Sequence, residues 1–131
     1  MTPKIELSVE RTFAAAHAIR LGGEQEPLHG HHWHVTVTVE GEALDAEGLL
    51  CDFHALEQIV DEAIRPWHNH NLNEVEPFAG GVNPTAELVC QELARRVAQG
   101  IQGKLGAAIR LAAVRLTEAP GCAVTLRFAL A

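Results

Sequence analysis

The chain has 131 residues, 47% hydrophobic and 21% charged, proportions of one ordinary globular domain that exclude a disordered or fibrous chain. Ten basic residues against 17 acidic ones give a formal charge of −7, which weighs against nucleic acid as a partner because phosphate binding needs a basic field. No apolar run approaches the roughly 20 residues of a membrane span and no charged-then-apolar leader opens the chain, so a cytoplasmic protein without membrane contact is expected.

Residues 1–131 read as one domain, without repeat or linker. A first strand is predicted over 4–17, where Ile5, Leu7, Val9, Phe13 and His17 share one parity. Arg11 interrupts that parity, so a bulge or an exposed edge is expected there. Gly22-Gly23, Pro27 and Gly30 mark a loop over 18–30. A second strand over 31–40 sets Trp33, Val35, Val37 and Val39 on one side and His34, Thr36, Thr38 and Glu40 on the other. Asp52 is a good N-cap for a helix whose apolar positions are Leu56, Ile59, Val60, Ala63, Ile64 and Trp67. A polar loop is expected over 68–82. Asn83-Pro84 is predicted to open a second helix, with proline in its first turn and Gly100 and Gly103 at its end. Strands over 107–118 and 122–130 follow, joined by Pro120-Gly121, with Val124, Leu126, Phe128 and Leu130 on one face of the last. The predicted class is α+β: a four-stranded antiparallel sheet with two helices on one face. Its open edges favour oligomerisation. Cys51, Cys90 and Cys122 form no CxxC pair and read as small buried hydrophobes.

Eight histidines are present. Five lie between His17 and His34, and two more are His68 and His70. In His29-Gly30-His31, histidines at i and i+2 of an extended segment project to one side. Their parity is that of Trp33 and Val35, and His17 has the apolar parity of the first strand. An antiparallel hairpin of the two strands brings His17, His29 and His31 together at one end of the sheet. Three neutral imidazoles with an open fourth place are the donor set of a catalytic zinc site. His32 and His34 have the opposite parity, and His54 falls in the first turn of a helix, where it reads as solvated.

The segments Phe13-Ala14-Ala15-Ala16-His17, Leu28-His29-Gly30-His31, Gly48-Leu49-Leu50-Cys51-Asp52-Phe53, Leu72-Asn73, Asn83-Pro84-Thr85-Ala86-Glu87 and Thr117-Glu118 occur in that order. Together they resemble the 6-pyruvoyl-tetrahydropterin synthase and 6-carboxytetrahydropterin synthase family over about residues 5–130. The resemblance implies the tunnelling fold (T-fold), assembled through sheet edges as a homohexamer of two stacked trimers. It implies Zn2+ held by His17, His29 and His31, and Glu118 as the anchor of the pterin ring. The implied activity is that of a lyase on a pterin, typically dihydroneopterin triphosphate. Here the metal acidifies the C–H bonds of the pterin's tail while a base moves protons.

The chain departs from that family at two places. Gln25 stands where a cysteine base is usual, and an amide cannot take a proton at neutral pH. Glu26, three residues before His29, matches a variant of the family whose glutamate base gives 6-hydroxymethyl-dihydropterin. The usual Asp-His relay before Leu72-Asn73 is replaced by His68 and Asn69, so His68 or His70 is expected to supply the acid/base imidazole from a shifted loop. The expected function is therefore a zinc-dependent pterin lyase using Glu26. Within enzymes the rival is a 6-carboxytetrahydropterin synthase of the deazapurine (queuosine) type. From another class comes a non-catalytic pterin- or zinc-binding homologue that lost the base.

Overall fold

A computed structural model describes Met1 and residues 3–129. In sequence order the elements are β1 (Ile5–His17), β2 (Arg20–Leu21), β3 (Glu24–Gln25), β4 (His29–Gly41), α1 (Phe53–Ile64), β5 (His70–Asn71), α2 (Ala86–Lys104), β6 (Arg110–Ala119) and β7 (Cys122–Arg127). β2 and β3 pair only with each other; the main sheet has the order β5-β1-β4-β6-β7. The four long strands are antiparallel as predicted. The fifth, β5, adds two residues parallel to β1 at Ala15 and Ala16, in a stretch too short for alternation to reveal.

Alternation decides which face is covered. Val9, Phe13 and Ala15 of β1, Trp33, Val35, Val37 and Val39 of β4, and Leu111, Val114 and Leu116 of β6 are buried in one core with the apolar stripes of both helices. From α1 come Leu56, Ile59, Val60, Ala63 and Ile64, and from α2 Val89, Cys90, Leu93, Ala94, Val97 and Ile101. Each large apolar side chain among them stabilises the fold by about 1.5–3 kcal/mol relative to an exposed one. On the other face, Ser8, Glu10, Thr12 and Ala14 pair with Thr38, Thr36, His34 and His32, and these are exposed or half-buried.

Several local expectations are corrected. Arg11 causes no bulge: β1 and β4 pair in unbroken register from Ile5–Gly41 to His17–His29. The guanidinium lies on the covered face and bridges Glu57 and Asp61 of α1, at 3.4 and 3.0 Å. The irregularities fall instead at Thr38/Val39 and Thr117/Ala119. Asp52 caps α1 as expected, accepting from the His54 N–H at 2.9 Å, but α1 ends at Ile64 and Trp67 lies beyond it. Residues 68–82 carry β5 and two 3-10 turns, Leu72–Glu74 and Phe78–Gly80. Pro84 is not in the first turn of α2; Thr85 is the N-cap and accepts from the Leu88 N–H at 3.1 Å. Gly100 and Gly103 do not end that helix, which runs to Lys104. Gly100 is instead where α2 meets α1, and a Cβ there would stand 2.6 Å from Ile59 Cγ2. β7 stops at Arg127, leaving Phe128 outside it, and Leu130 lies outside the described residues. Cys51 and Cys90 are buried, whereas Cys122 is exposed on the outer strand.

The two ends of the sheet differ in chemistry. At one end the buried carboxylate of Glu40 is paired with Arg110 and with Lys4. At the other, the last residues of β1 and the first of β4 bring histidines together over an aromatic floor. Phe13 and Trp33 stack there with ring centroids 5.9 Å apart, and Trp67 and Phe78 continue the layer.

Candidate metal centre

The hairpin register sets His17 opposite His29 and places His31 opposite Ala15. All three rings leave the covered face, and their centroids are 4.7–5.2 Å apart. Trp33 closes the floor, edge-on to His17 at 5.0 Å and to His31 at 5.5 Å. Its indole N–H donates to the Ala15 carbonyl, so the ring is locked. Glu118, one residue past Thr117 on β6, has the parity of buried Leu116 and enters the same group. One donor atom from each of His17, His29, His31 and Glu118 lies within 4.8 Å of the other three.

Hydrogen bonds fix which ring nitrogens face the centre. The Nδ1 of His17 is 2.8 Å from the carbonyl of Pro84, and that of His29 is 2.9 Å from the carbonyl of Pro27. A carbonyl only accepts, so each ring in its neutral form carries its proton on Nδ1 and leaves the Nε2 lone pair free. A backbone carbonyl on the outer nitrogen is the usual way a protein sets the tautomer of a ligating histidine. The Nε2 atoms of His17 and His31 are buried without a hydrogen-bond partner. Glu118 Oε1 is near them, at 2.8 and 3.2 Å, but not along a hydrogen-bond direction. Burial holds the His31 pKa below its usual value, with the Glu118 carboxylate working the other way. That favours the neutral, ligating ring. Ring nitrogens converging on one point, two of them buried and two of the rings already engaged at their outer nitrogens, fit a divalent cation with nitrogen and oxygen ligands.

The loop that follows β1 is held by two asparagines. Asn73 accepts from the Ala18 N–H and donates to the Ala18 carbonyl, both at 2.8 Å. Asn83 does the same at Arg20, at 2.8 and 2.9 Å. Each amide thus imitates a neighbouring strand. Glu26 rides on this loop: its N–H donates to the Ile19 carbonyl at 2.9 Å, and its carboxylate accepts from the Ile19 N–H at 3.2 Å. The carboxylate stands 3.6 Å from His29 Nε2. An open hollow beside it is lined by Ala18, Gln25, Pro27, Leu28, Asn71 and Asn73.

His68 and His70 are not members of the four-residue group. His68 Nδ1 accepts from the Ala14 N–H at 3.1 Å, and the Asn69 N–H donates to the Ala14 carbonyl at 2.6 Å. That ring is built into the edge of β1. His70 donates Nδ1–H to the His68 carbonyl at 2.8 Å, which leaves its Nε2 uncommitted. It lines a cleft with His31, His32 and Gly30. His32 and His34 lie on the opposite face from the cluster, and His54 is exposed, paired with Glu57. Three contributors escape a reading of functional-group chemistry: the Pro84 carbonyl, Asn73 and Asn83. Their only trace in the sequence is the Leu72-Asn73 and Asn83-Pro84 pairs.

Comparison with known proteins gives the family and the fold. The family model described as 6-pyruvoyl tetrahydropterin synthase matches residues 6–128. A dihydroneopterin monophosphate aldolase of Pyrococcus furiosus is 32% identical over 100 residues, which is 76% of this chain and 81% of that protein. A putative 6-carboxy-5,6,7,8-tetrahydropterin synthase of Archaeoglobus fulgidus is 27% identical over 99 residues, again 76% and 81%. Among solved structures, the 6-pyruvoyl tetrahydropterin synthase of Caenorhabditis elegans superposes with a TM-score of 0.82 at 18% identity, covering 98% of both proteins. That of Plasmodium vivax gives 0.79 at 19% identity, covering 98% of this protein and 99% of that one. The architecture is the tunnelling fold of those proteins. With nearly its whole length matched, the chain belongs to the 6-pyruvoyl tetrahydropterin synthase family.

Proposed function

We propose that this protein is a zinc-dependent lyase that cuts the tail of a phosphorylated dihydroneopterin, with Glu26 as the base. One observation carries the reading. The Glu26 carboxylate stands 3.6 Å from His29 Nε2, while Gln25 holds the place of the usual cysteine. Two likenesses support it: a relative is named dihydroneopterin monophosphate aldolase, and solved variants of the P. vivax protein replace a glutamate named as a catalytic residue.

A zinc ion on His17, His29 and His31 supplies Lewis acidity toward the hydroxyls of the substrate's tail. The protein's own groups do the rest. Glu118 presents two acceptor oxygens to the paired N–H donors of the pterin ring. Glu26 takes the proton of the hydroxyl at C2′, and the C1′–C2′ bond breaks as the C2′ carbonyl forms. The electron pair left on C1′ delocalises into the ring and is protonated, giving 6-hydroxymethyl-dihydropterin and a phosphorylated two-carbon aldehyde. His70, whose Nε2 is uncommitted, carries that proton. His68 serves as a backbone partner of β1. Assembly as a homohexamer of two trimers belongs to the same reading, and the outer edge of β7 offers a strand to a second copy.

The non-catalytic alternative has its own observation in its favour: Asn69 and the engaged His68 leave no acid–imidazole pair at the relay position. Metal-loaded protein incubated with dihydroneopterin triphosphate, and separately with the monophosphate, tests both readings by mass spectrometry of the products. The hydroxymethyl pterin from the wild-type protein, and none from Glu26→Gln at unchanged metal content, is expected. A pyruvoyl or carboxy product overturns the proposed cleavage, and no product from either substrate favours the non-catalytic homologue.

A further inference from the structure

We propose that Glu118 is a fourth ligand of the metal while no pterin is bound, so that the carboxylate has two successive partners: the cation first, then the pterin ring. The inference rests on the metal reading above and adds a role to a residue otherwise assigned to substrate.

The argument begins from lone pairs. The Nδ1 of His17 donates to the Pro84 carbonyl, so its Nε2 is an acceptor. Glu118 Oε1, also an acceptor, stands 2.8 Å from it and 3.2 Å from His31 Nε2. Neither nitrogen has a hydrogen-bond partner. At His17 an acceptor thus faces an acceptor, and such a pair repels unless a positive charge lies between the two. A tetrahedral zinc with bonds of about 2.0 Å has neighbouring ligand atoms about 3.3 Å apart, close to the separation of Glu118 Oε1 from His31 Nε2. Charge points the same way. Three neutral imidazoles leave the full double charge of the cation in a site where His17 is wholly buried, and one carboxylate halves it. No recorded hydrogen bond from a described residue competes for the Glu118 carboxylate.

Placement on β6 makes exchange possible. Glu118 is next to the register shift at Thr117/Ala119, and its side chain is 28% exposed. It therefore reaches the cluster while part of its carboxylate stays open to solvent. A substrate that offers hydroxyls to the cation and paired N–H groups to the carboxylate replaces both halves of the resting contact at once. A ligand with only one of these breaks the contact without full return, which makes the contact a selectivity device.

Cobalt substitution tests this without any turnover. Co2+ is titrated into metal-stripped wild-type, Glu118→Ala and Glu118→Gln proteins; visible spectra are recorded, and zinc affinity is read by competition with a chelator. The expected result is an altered cobalt spectrum in Glu118→Ala and zinc binding weakened by at least about 10-fold, the low end of what supporting residues contribute. Added acetate restores the wild-type spectrum to Glu118→Ala. Thermal melts of the metal-free proteins coincide, which separates ligand loss from misfolding. Superimposable cobalt spectra and equal zinc affinities in all three proteins overturn the inference and leave the three-histidine centre standing. Absence of any cobalt binding by the wild-type protein overturns the centre itself, and this inference with it.

Discussion

Asn73→Ala is the most informative single change, because it strikes the loop that carries the proposed base without touching the histidines. Asn73 makes two hydrogen bonds to one residue, accepting from the N–H and donating to the carbonyl of Ala18. A typical intramolecular hydrogen bond contributes about 0.5–1.5 kcal/mol net. The site is half-buried, so water recovers part of the loss, and a destabilisation of about 1–2 kcal/mol is expected. For a domain of this size that is a fall of about 3–8 °C in melting temperature. The second effect is on position. Residues 18 and 19 are freed, Ile19 holds both the backbone and the carboxylate of Glu26, and the carboxylate drifts from its place beside His29. A displacement of about 1 Å can cost about 100-fold in rate, so turnover is expected to fall far more than stability. Metal affinity is expected to stay within about threefold, because outer-shell losses of about 10–100-fold follow only when a ligand's own support is removed and His17 is held by Pro84 instead. Asn73→Asp keeps the acceptor but sets a carboxylate against the Ala18 carbonyl, so it falls at least as far. Urea and thermal melts, zinc competition and product formation are the assays. Melts of Asn73→Ala that superimpose on wild type, or a loss of zinc affinity as large as the loss of turnover, refute the reasoning.

Removing metal should destabilise the fold, since zinc binds the folded cluster: free zinc at about 100 times its dissociation constant is worth about 2.7 kcal/mol, and identical melts with and without chelator would contradict the centre. Thiol reactivity should separate the cysteines. Burial pushes the Cys90 thiol up to about 11 and raises that of Cys51, while Cys122 is exposed; an aromatic disulfide reagent at about pH 8, near the ordinary thiol range, is expected to titrate one rapid thiol in the native protein and all of them in urea. Gly100→Ala places a methyl against Ile59; overpacking of about 1–3 kcal/mol less about 1 kcal/mol of gained helix propensity leaves a net loss of about 1 kcal/mol, and a urea midpoint above wild type would show that α1 and α2 part freely.

Much of the scaffold was legible because period-2 patterns are strong where one face is buried. Val35, Val37 and Val39 alternate with threonines and announce β4, and a run with that parity cannot slip by one residue without turning every valine to water. The same parity brought three histidines to one place, since a hairpin without bulges carries alignment from Ile5 to His17. Arg11 misled for a reason that burial explains: a long cation can lie on the covered face if the helix above supplies acids, and Glu57 and Asp61 do. Gly100 misled because a glycine near a helix end serves equally well as a stop signal and as a place of close approach. Only the position of α1 decides between them.

What stayed hidden has a common cause. The groups that hold the site are main-chain atoms or amides acting on main chain, across 55 to 67 residues of sequence. A histidine declares in its ring that it can bind a metal; Pro84 declares nothing about its carbonyl. This asymmetry has a physical consequence. No single substitution deletes the carbonyl that fixes the tautomer of His17, so that ligand is robust to change around it. The loop bearing Glu26 depends on two amides, Asn73 and Asn83, each removable by a single replacement. In the proposed site the metal-binding half is therefore the harder to lose, and the proton-moving half the easier.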